Sequence, residues 1–132
     1  MRNRPALTAD DVKKMMAACE AEAAKNKWNV CIAITDEAGY LLELHRMDGA
    51  GPMTAEVALG KAQLAALTGR SSKSFEARLK DRIAFLRYPA GLPIEGGVPV
   101  LHQTERVGAI GVSGVQSHED EQIANAGIAA LG

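Results

Sequence analysis

Two pairs of short apolar segments, each folded back across a turn, constrain the fold of this chain more than any other feature. Residues 28–35 alternate apolar and polar positions, residues 40–47 are apolar enough for a strand, and turn-forming residues separate them. This pattern predicts a β-hairpin. Residues 98–101 and 107–113 form the second pair, with an expected four-residue connection over residues 102–105. Because adjacent hairpins favour antiparallel pairing, the sequence predicts an antiparallel sheet.

Four further segments carry apolar residues at helical spacing and are predicted to be helices. They are residues 9–25, 53–68 and 71–86, and a final helix that begins at Ser117. Thr8 and Asp11 resemble a capping box for the first helix, and Ser117 and Asp120 resemble one for the last. Gly69 fits the C-cap of the second helix. This element order predicts an α+β fold with helices flanking the sheet, and without a linker or repeat we expect one domain over residues 1–132.

Charge and composition limit the classes of partner that we expect this chain to bind. The formal net charge is −1 and the basic residues are scattered, so we expect no binding to nucleic acid, which requires a basic surface. No apolar run approaches the roughly 20 residues of a membrane span, and the N terminus lacks the apolar core of a secretion signal. We therefore expect a cytoplasmic protein without a membrane partner. Cys19 and Cys31 fall on a predicted helix and a predicted strand, and we expect buried free thiols.

Glycine is unusually frequent in and beside the second hairpin. Gly96 and Gly97 precede its first strand, and glycine recurs through residues 108–114. Glycine weakens a strand unless another group must approach the backbone closely. Either these positions line a ligand pocket, or they serve bulges and close helix packing. Residues 89–97, rich in proline and glycine, are expected to form a loop that exposes its backbone amides.

Two sets of residues are candidates for binding an anionic ligand. Ser113 and Gly114 lead into the N terminus of the last helix, where free amides and the helix dipole favour a carboxylate or phosphate. Arg46, Asp48 and Lys61 lie around the break between the second strand and the second helix. There the two cations could hold an acidic ligand while the carboxylate orients them. The alternative for these three residues is a structural ion pair or a solvated surface.

The sequence assigns no catalytic residue and no metal site. His45, His102 and His118 lack the spacing of a metal-binding motif. Haem needs only one or two axial ligands and an apolar slot, so the missing motif does not exclude it. No nucleophile elbow is present, and no catalytic triad can be assigned.

Several motifs, in order along nearly the whole chain, resemble the GlcG/HbpS-like family (DUF336, the haem-degrading domain). They are ITDEAG at residues 34–39, LHRMDGA at 44–50, GKA at 60–62, PIEGGVP at 93–99 and VGAIGVSG at 107–114, followed by Asp120 and Ala126-Gly127. The chain also resembles the C-terminal domain of PduO-type adenosyltransferases. Residues 103–106 depart from the short Asp-Gly turn usual at this hairpin, which we expect to alter the rim of the molecule and not its fold.

The resemblance implies a profilin-like α+β fold whose antiparallel sheet of about five strands, an ordinary sheet size, is flanked by helices. It also implies assembly into dimers or larger homo-oligomers. The roles it implies include haem-binding sensor partners, haem-binding domains of corrinoid adenosyltransferases and proteins encoded beside glycolate or diol catabolic genes. Members differ in their haem ligand, so no axial ligand is carried over to this chain.

Three functions follow as hypotheses. The first is a homo-oligomeric protein that binds haem or a related tetrapyrrole, with the glycine-rich segments as the pocket floor and Arg46 or Lys61 pairing with propionates. The second is an enzyme or accessory subunit that acts on a small carboxylated metabolite held by Arg46 and Lys61, with Asp48 as acid or base. The third is a structural module without a ligand.

Overall fold

The computed structural model describes residues 1–132 and contains four α-helices and one four-stranded antiparallel sheet. The helices are α1 (Ala9–Lys25), α2 (Met53–Thr68), α3 (Ser72–Arg78) and α4 (Ser117–Ala129), and a 3₁₀ turn spans Ile83–Arg87. The strands are β1 (Cys31–Asp36), β2 (Leu41–Arg46), β3 (Gly97–His102) and β4 (Glu105–Ser113), in the order β2-β1-β4-β3. The predicted α+β class is confirmed. The expectation of a fifth strand is wrong, because the two hairpins supply four strands and residues 89–96 are irregular.

β1 and β4 are the central strands, and the sheet is covered on both faces. The antiparallel pair Ile32 and Val112 places large side chains on one face, where they join a core with α1 and α4. On the other face, Ala33 and Ala109 pack against α2. The chain therefore forms three layers, with α1 and α4 on one side of the sheet and α2 on the other.

Helix α2 approaches the sheet closely because both contacting surfaces carry small residues. The helix contributes mainly alanines to this contact. Gly97 and Gly111 face it from the sheet, and an added Cβ would overlap the carbonyl oxygen of Lys61 at Gly97 and that of Ala58 at Gly111. Of the two interpretations of the strand glycines, the structure shows close helix packing at both positions.

The predicted bounds of α1 and α2 are confirmed, together with a cap of each helix. Thr8 Oγ1 accepts a hydrogen bond from Asp11 N at 3.1 Å, and Asp11 Oδ2 accepts one from Thr8 N at 2.9 Å, which completes the capping box. Gly69 ends α2 with a φ of +72°, a conformation that glycine adopts without strain.

The single helix expected over residues 71–86 is wrong. Helix α3 ends at Arg78, and the chain turns before the 3₁₀ turn at Ile83–Arg87. This break brings the rings of Phe85 and Tyr88 against Phe75, with centroids 5.9 and 5.3 Å from that of Phe75. Both contacts have the edge-to-face geometry that aromatic rings favour, and a continuous helix would not allow them together.

The turn of the second hairpin has two residues where four were expected. Gln103 and Thr104 form it, with φ values of 49° and 71°. Two consecutive positive φ values are typical of the type I′ turn, whose twist matches that of the flanking strands. β3 therefore extends to His102, and β4 begins at Glu105.

The start of α4 also differs from its prediction. The capping box is formed by Gln116 and Glu119, one residue before the box expected at Ser117 and Asp120. Asp120 does not pair with Ser117 because its carboxylate is buried, where it binds Lys61 Nζ and accepts a hydrogen bond from Val115 N.

The two cysteines are buried free thiols, as predicted. Burial raises the pKa of the Cys19 thiol to about 12, because the thiolate would lose its hydration in the core. None of the helices combines the length and the apolar character needed to cross a bilayer.

Candidate functional site

A buried ion pair between Lys61 of α2 and Asp120 of α4 joins the layers on opposite faces of the sheet. Lys61 Nζ lies 2.9 Å from Asp120 Oδ2 and also donates a hydrogen bond to Val112 O at 2.9 Å. Only 1 % of Lys61 and 2 % of Asp120 are exposed. The other carboxylate oxygen, Asp120 Oδ1, accepts a hydrogen bond from Val115 N at 3.2 Å. Burial raises the pKa of Asp120, and the hydrogen bond and charge of Lys61 offset part of this effect.

The expected cluster of Arg46, Asp48 and Lys61 does not form. Arg46 ends β2, Asp48 follows in the next loop, and both side chains are exposed and form no ion pair. Lys61 lies on the buried side of α2, between Ala58 and Ala62, so its ammonium points into the protein. The two cations therefore do not converge on one acidic ligand in this structure.

Gly96 and Gly97 are buried against their own protein. Gly97 N donates a hydrogen bond to Ser72 Oγ at 2.8 Å, and Gly96 O accepts one from Val112 N at 3.1 Å. A Cβ on Gly96 would lie 2.8 Å from Lys61 Nζ. The expectation that the amides of this loop are exposed is wrong at Gly97, since close packing against α2 and α3 uses the backbone there.

The Ser113–Gly114 corner, predicted as an anion site, connects β4 to α4. Ser113 is buried and Gly114 is exposed. Carboxylates of the chain itself accept hydrogen bonds from the backbone amides at this helix start. Asp120 Oδ1 accepts one from Val115 N, and Glu119 Oε1 accepts one from Gln116 N at 3.1 Å. Internal carboxylates therefore fill positions at which an external anion was expected.

The larger of the two main clefts lies at the other end of β3, around His102. It has a volume of about 430 Å³ and is formed by the segment before α1, the second hairpin and the C-terminal residues. Its apolar walls include Leu7, Leu101, Ile128 and Leu131. His102 is the only imidazole among its lining residues, and the side chain is exposed.

Charged groups border this cleft. Arg4 lies beside the second hairpin, with Nε 3.6 Å from Glu105 Oε2 and Nη2 donating to Arg106 O at 3.4 Å. Asp11 lines the cleft, and hydrogen bonds from Thr8 lower its pKa below the usual range. The cleft therefore combines apolar walls and a histidine, and the guanidinium of Arg4 lies beside the adjoining hairpin.

Sequence reasoning missed this cleft because its walls come from three distant parts of the chain, residues 5–11, 100–107 and 128–132. The only local sign is an apolar residue, Leu7, directly before the helix cap. The other histidines lie elsewhere: His45 Nδ1 is 3.2 Å from Glu20 Oε1, and His118 is exposed in the first turn of α4. No group of three or more side chains is arranged to hold a metal ion.

A second group of ionisable side chains links the loop before β3 to α3 and α4. Lys73 Nζ lies 3.8 Å from Glu95 Oε2. Glu121 Oε2 is buried without a hydrogen-bond partner. Burial and the nearby negative charge of Glu95 raise the pKa of Glu121. Glu121 therefore holds a proton more strongly in the folded chain than in the unfolded chain.

Comparison with known proteins establishes the family. A family model described as "Haem degrading protein HbpS-like" matches residues 7–129. The protein GlcG of Escherichia coli (strain K12) is 40 % identical over 114 residues, which cover 86 % of this chain and 85 % of GlcG. The chain therefore belongs to the GlcG/HbpS-like family, as its motifs predict.

Solved structures share the fold along the whole chain. The crystal structure of HbpS has a TM-score of 0.94 and 34 % identity, and the match covers 100 % of this chain and 94 % of HbpS. A double mutant of Streptomyces reticuli HbpS also reaches a TM-score of 0.94, with 33 % identity and coverage of 100 % and 91 %. A PduOC–heme complex matches with a TM-score of 0.88 and 22 % identity over 96 % and 95 % of the two chains, a likeness of fold alone.

Proposed function

We propose that this protein binds haem or a related tetrapyrrole in the cleft around His102. One observation carries the proposal: a single cleft combines apolar walls with one imidazole. Haem has matching needs, since its macrocycle requires an apolar slot and its iron requires one or two axial ligands. The description of the family as haem-degrading and the heme complex of the structurally similar PduOC support the same ligand class.

The residues of the cleft fit this group. Leu7, Leu101 and Ile128 would contact the macrocycle, and His102 would provide a nitrogen ligand for the iron. Arg4, in the N-terminal segment beside the second hairpin, would pair with a propionate, because a guanidinium binds a carboxylate through charge-assisted hydrogen bonds. Bound haem supplies an iron centre for redox or ligand-binding chemistry. The chain itself provides the apolar walls, one nitrogen ligand and one cation.

The proposal includes a homo-oligomer. At about 430 Å³ the cleft is near the lower end of ligand pockets, which span roughly 300 to 1,000 Å³. A tetrapyrrole held there would leave part of its ring uncovered by the same chain, and Leu101 beside it is already 52 % exposed. A neighbouring copy would cover this remaining apolar surface.

The metabolite-binding alternative loses its structural basis. It required Arg46 and Lys61 to hold one carboxylated ligand together, whereas Lys61 is buried with Asp120. The same burial removes Lys61 as the expected partner of a haem propionate, and Arg4 takes that place in the proposal.

Titration of the purified protein with hemin tests this function. We expect a saturable Soret shift for the wild type and a dissociation constant raised by about tenfold or more in His102→Ala, since an axial ligand is lost. His45→Ala and His118→Ala are matched controls, because both imidazoles are exposed and lie outside the cleft. No saturable shift for the wild type at micromolar protein would contradict the ligand. An unchanged affinity in His102→Ala would contradict the site.

A further inference from the structure

Residues 70–88, called here the basic segment, combine positive charge with exposed apolar side chains. They contain six Lys and Arg residues and two acidic residues, a net charge of +4 in a chain whose total is −1. Ile83 is 68 % exposed and Leu86 is 54 % exposed. Because residues three apart in a 3₁₀ turn lie above one another, these two side chains project on the same side. The segment thus presents a small apolar surface within a basic stretch of chain.

Aromatic packing orders the basic segment. The guanidinium of Arg78 lies 5.3 Å from the centre of the Phe75 ring, and that of Arg82 lies 5.3 Å from the centre of the Phe85 ring. Arginine and aromatic side chains are enriched at protein interfaces. A surface that is already ordered loses less conformational entropy when it binds a partner.

Residues 36–43, called here the acidic edge, show the complementary pattern. They contain three acidic residues and no basic residue, a net charge of −3. Their exposed apolar side chains are Tyr40 (74 %), Leu41 (46 %) and Leu42 (44 %). Residues 41–43 of the acidic edge belong to β2, an edge strand with no neighbour on its outer side, and its other residues lie at the end of β1 and in the turn between the two strands. Exposed edge strands of this kind are surfaces for pairing with another chain.

The two surfaces lie at opposite edges of the sheet in one copy. Ser72 accepts a hydrogen bond from Gly97 N, and Lys73 pairs with Glu95, so the basic segment is attached beside the start of β3. β3 and β2 are the two outer strands of the sheet. The opposite charges of the two surfaces therefore cannot meet within one copy, but they can meet between copies.

We propose that the basic segment of one copy binds the acidic edge of a second copy of this chain. Apolar side chains of the two surfaces would pack at the centre of the contact, with Arg82 and Arg87 facing Glu37 and Glu43 at its rim. Such a contact is head to tail, so every copy uses both surfaces and the assembly closes into a ring where the rotation permits. The inference rests on the homo-oligomer of the proposed function and specifies which surfaces join the copies.

Charge-swapped variants provide the test. Arg82→Glu with Arg87→Glu lowers the net charge of the basic segment from +4 to 0 and places two carboxylates at the rim of the contact. Glu37→Arg with Glu43→Arg changes the net charge of the acidic edge from −3 to +1. We expect sedimentation velocity to show assembly of the wild type and a dissociation constant raised by about tenfold or more in each double variant, because like charges then face each other. An equimolar mixture of the two double variants should assemble again, since each modified surface then finds an opposite charge on the other protein.

The mixture also shows that both variants are folded, because only folded partners present complementary surfaces. Lys25→Glu with Lys27→Glu is the matched control: both side chains are exposed near the end of α1, outside both surfaces, and assembly should be unchanged. A wild type that stays monomeric at low salt, or double variants that assemble like the wild type, would overturn the proposal. So would a mixture that fails to assemble, which would assign these surfaces to a different partner.

Hemin titration of Arg82→Glu with Arg87→Glu separates this inference from the proposed ligand. These residues lie outside the cleft around His102, so a Soret shift should remain where assembly is lost, with a weaker affinity because no neighbouring copy then covers the exposed part of the ring. Loss of assembly with retained hemin binding supports both proposals. Charge-dependent assembly in a protein that binds no hemin would contradict the proposed ligand and leave the proposed interface supported.

Discussion

Replacing Lys61 with methionine would break the ion pair between the layers while keeping a long unbranched side chain. Asp120 would retain the hydrogen bond from Val115 N but lose the ammonium 2.9 Å from its Oδ2 atom. Removing one partner of a buried pair typically costs about 3–5 kcal/mol, because the remaining charge has neither water nor a counter-ion. With 1 % of Lys61 and 2 % of Asp120 exposed, we expect a loss of unfolding free energy in this range.

A double-mutant cycle isolates the interaction. Asp120→Asn leaves the Lys61 ammonium without its counter-ion, whereas the double variant Lys61→Met with Asp120→Asn contains neither charge. We expect the double variant to lose about 2 kcal/mol less than the sum of the two single losses. Urea unfolding followed by circular dichroism at fixed protein concentration measures each value. Lys73→Met is the control: its side chain is 62 % exposed and lies 3.8 Å from Glu95, so its effect should stay within about 0.5 kcal/mol.

The pH dependence of this variant has a defined sign. Burial raises the pKa of Asp120, and removing Lys61 removes the interactions that offset this rise. An acid whose folded pKa exceeds its unfolded pKa contributes stability that is present at low pH and lost as the pH rises through the folded pKa. Lys61→Met should therefore lose more stability than the wild type between about pH 5 and pH 8. Two results would refute this reasoning: additive effects of the two single variants, or a small loss of unfolding free energy in Lys61→Met that is equal at about pH 5 and about pH 8.

Three further predictions concern packing and titration. Gly111→Ala places a methyl group against the Ala58 carbonyl and should lower the free energy of unfolding in urea by about 1–3 kcal/mol or more. The control Gly51→Ala, which has nothing within 4 Å of the added Cβ, should change it by under about 0.5 kcal/mol. Similar losses in the two variants would contradict the close packing of α2. Because the pKa of Glu121 is raised, its stabilising contribution is lost as the pH rises. Glu121→Gln should therefore flatten the decline of the unfolding free energy, measured in urea, between about pH 5 and pH 8. An unchanged dependence on pH would contradict the raised pKa. Because burial raises the pKa of Cys19 to about 12, its thiol should react with a disulfide reagent only after unfolding, and rapid reaction in native buffer would contradict its burial.

Helices α1 and α2 were predictable to the residue because their signals are local. Thr8 and Asp11 cap α1 through atoms only three residues apart, and Gly69 ends α2 by its own backbone conformation. The break after α3 was not predictable in this way, since it depends on Phe75 meeting rings that lie ten or more residues further along the chain. Local propensity favours one helix there, and tertiary aromatic packing favours two shorter elements.

The candidate site was less predictable than the fold. His102 was visible as a histidine near a hairpin, but its cleft requires the N-terminal segment and the end of α4 to meet beside it. In the sequence, Lys61 is a candidate ligand group because it lies near the break between the second strand and the second helix. Only the packing of α2 against the sheet shows that its ammonium points inward to Asp120.

The sequence by itself determined the α+β class, the order of the elements and the family, because periodicity, caps and ordered motifs are written in neighbouring residues. The tertiary structure decided the rest: which charges are buried as pairs, why Gly97 and Gly111 must lack a side chain, and where an apolar cleft forms around His102. These properties arise from contacts between residues tens of positions apart, and no local pattern in the chain encodes such contacts.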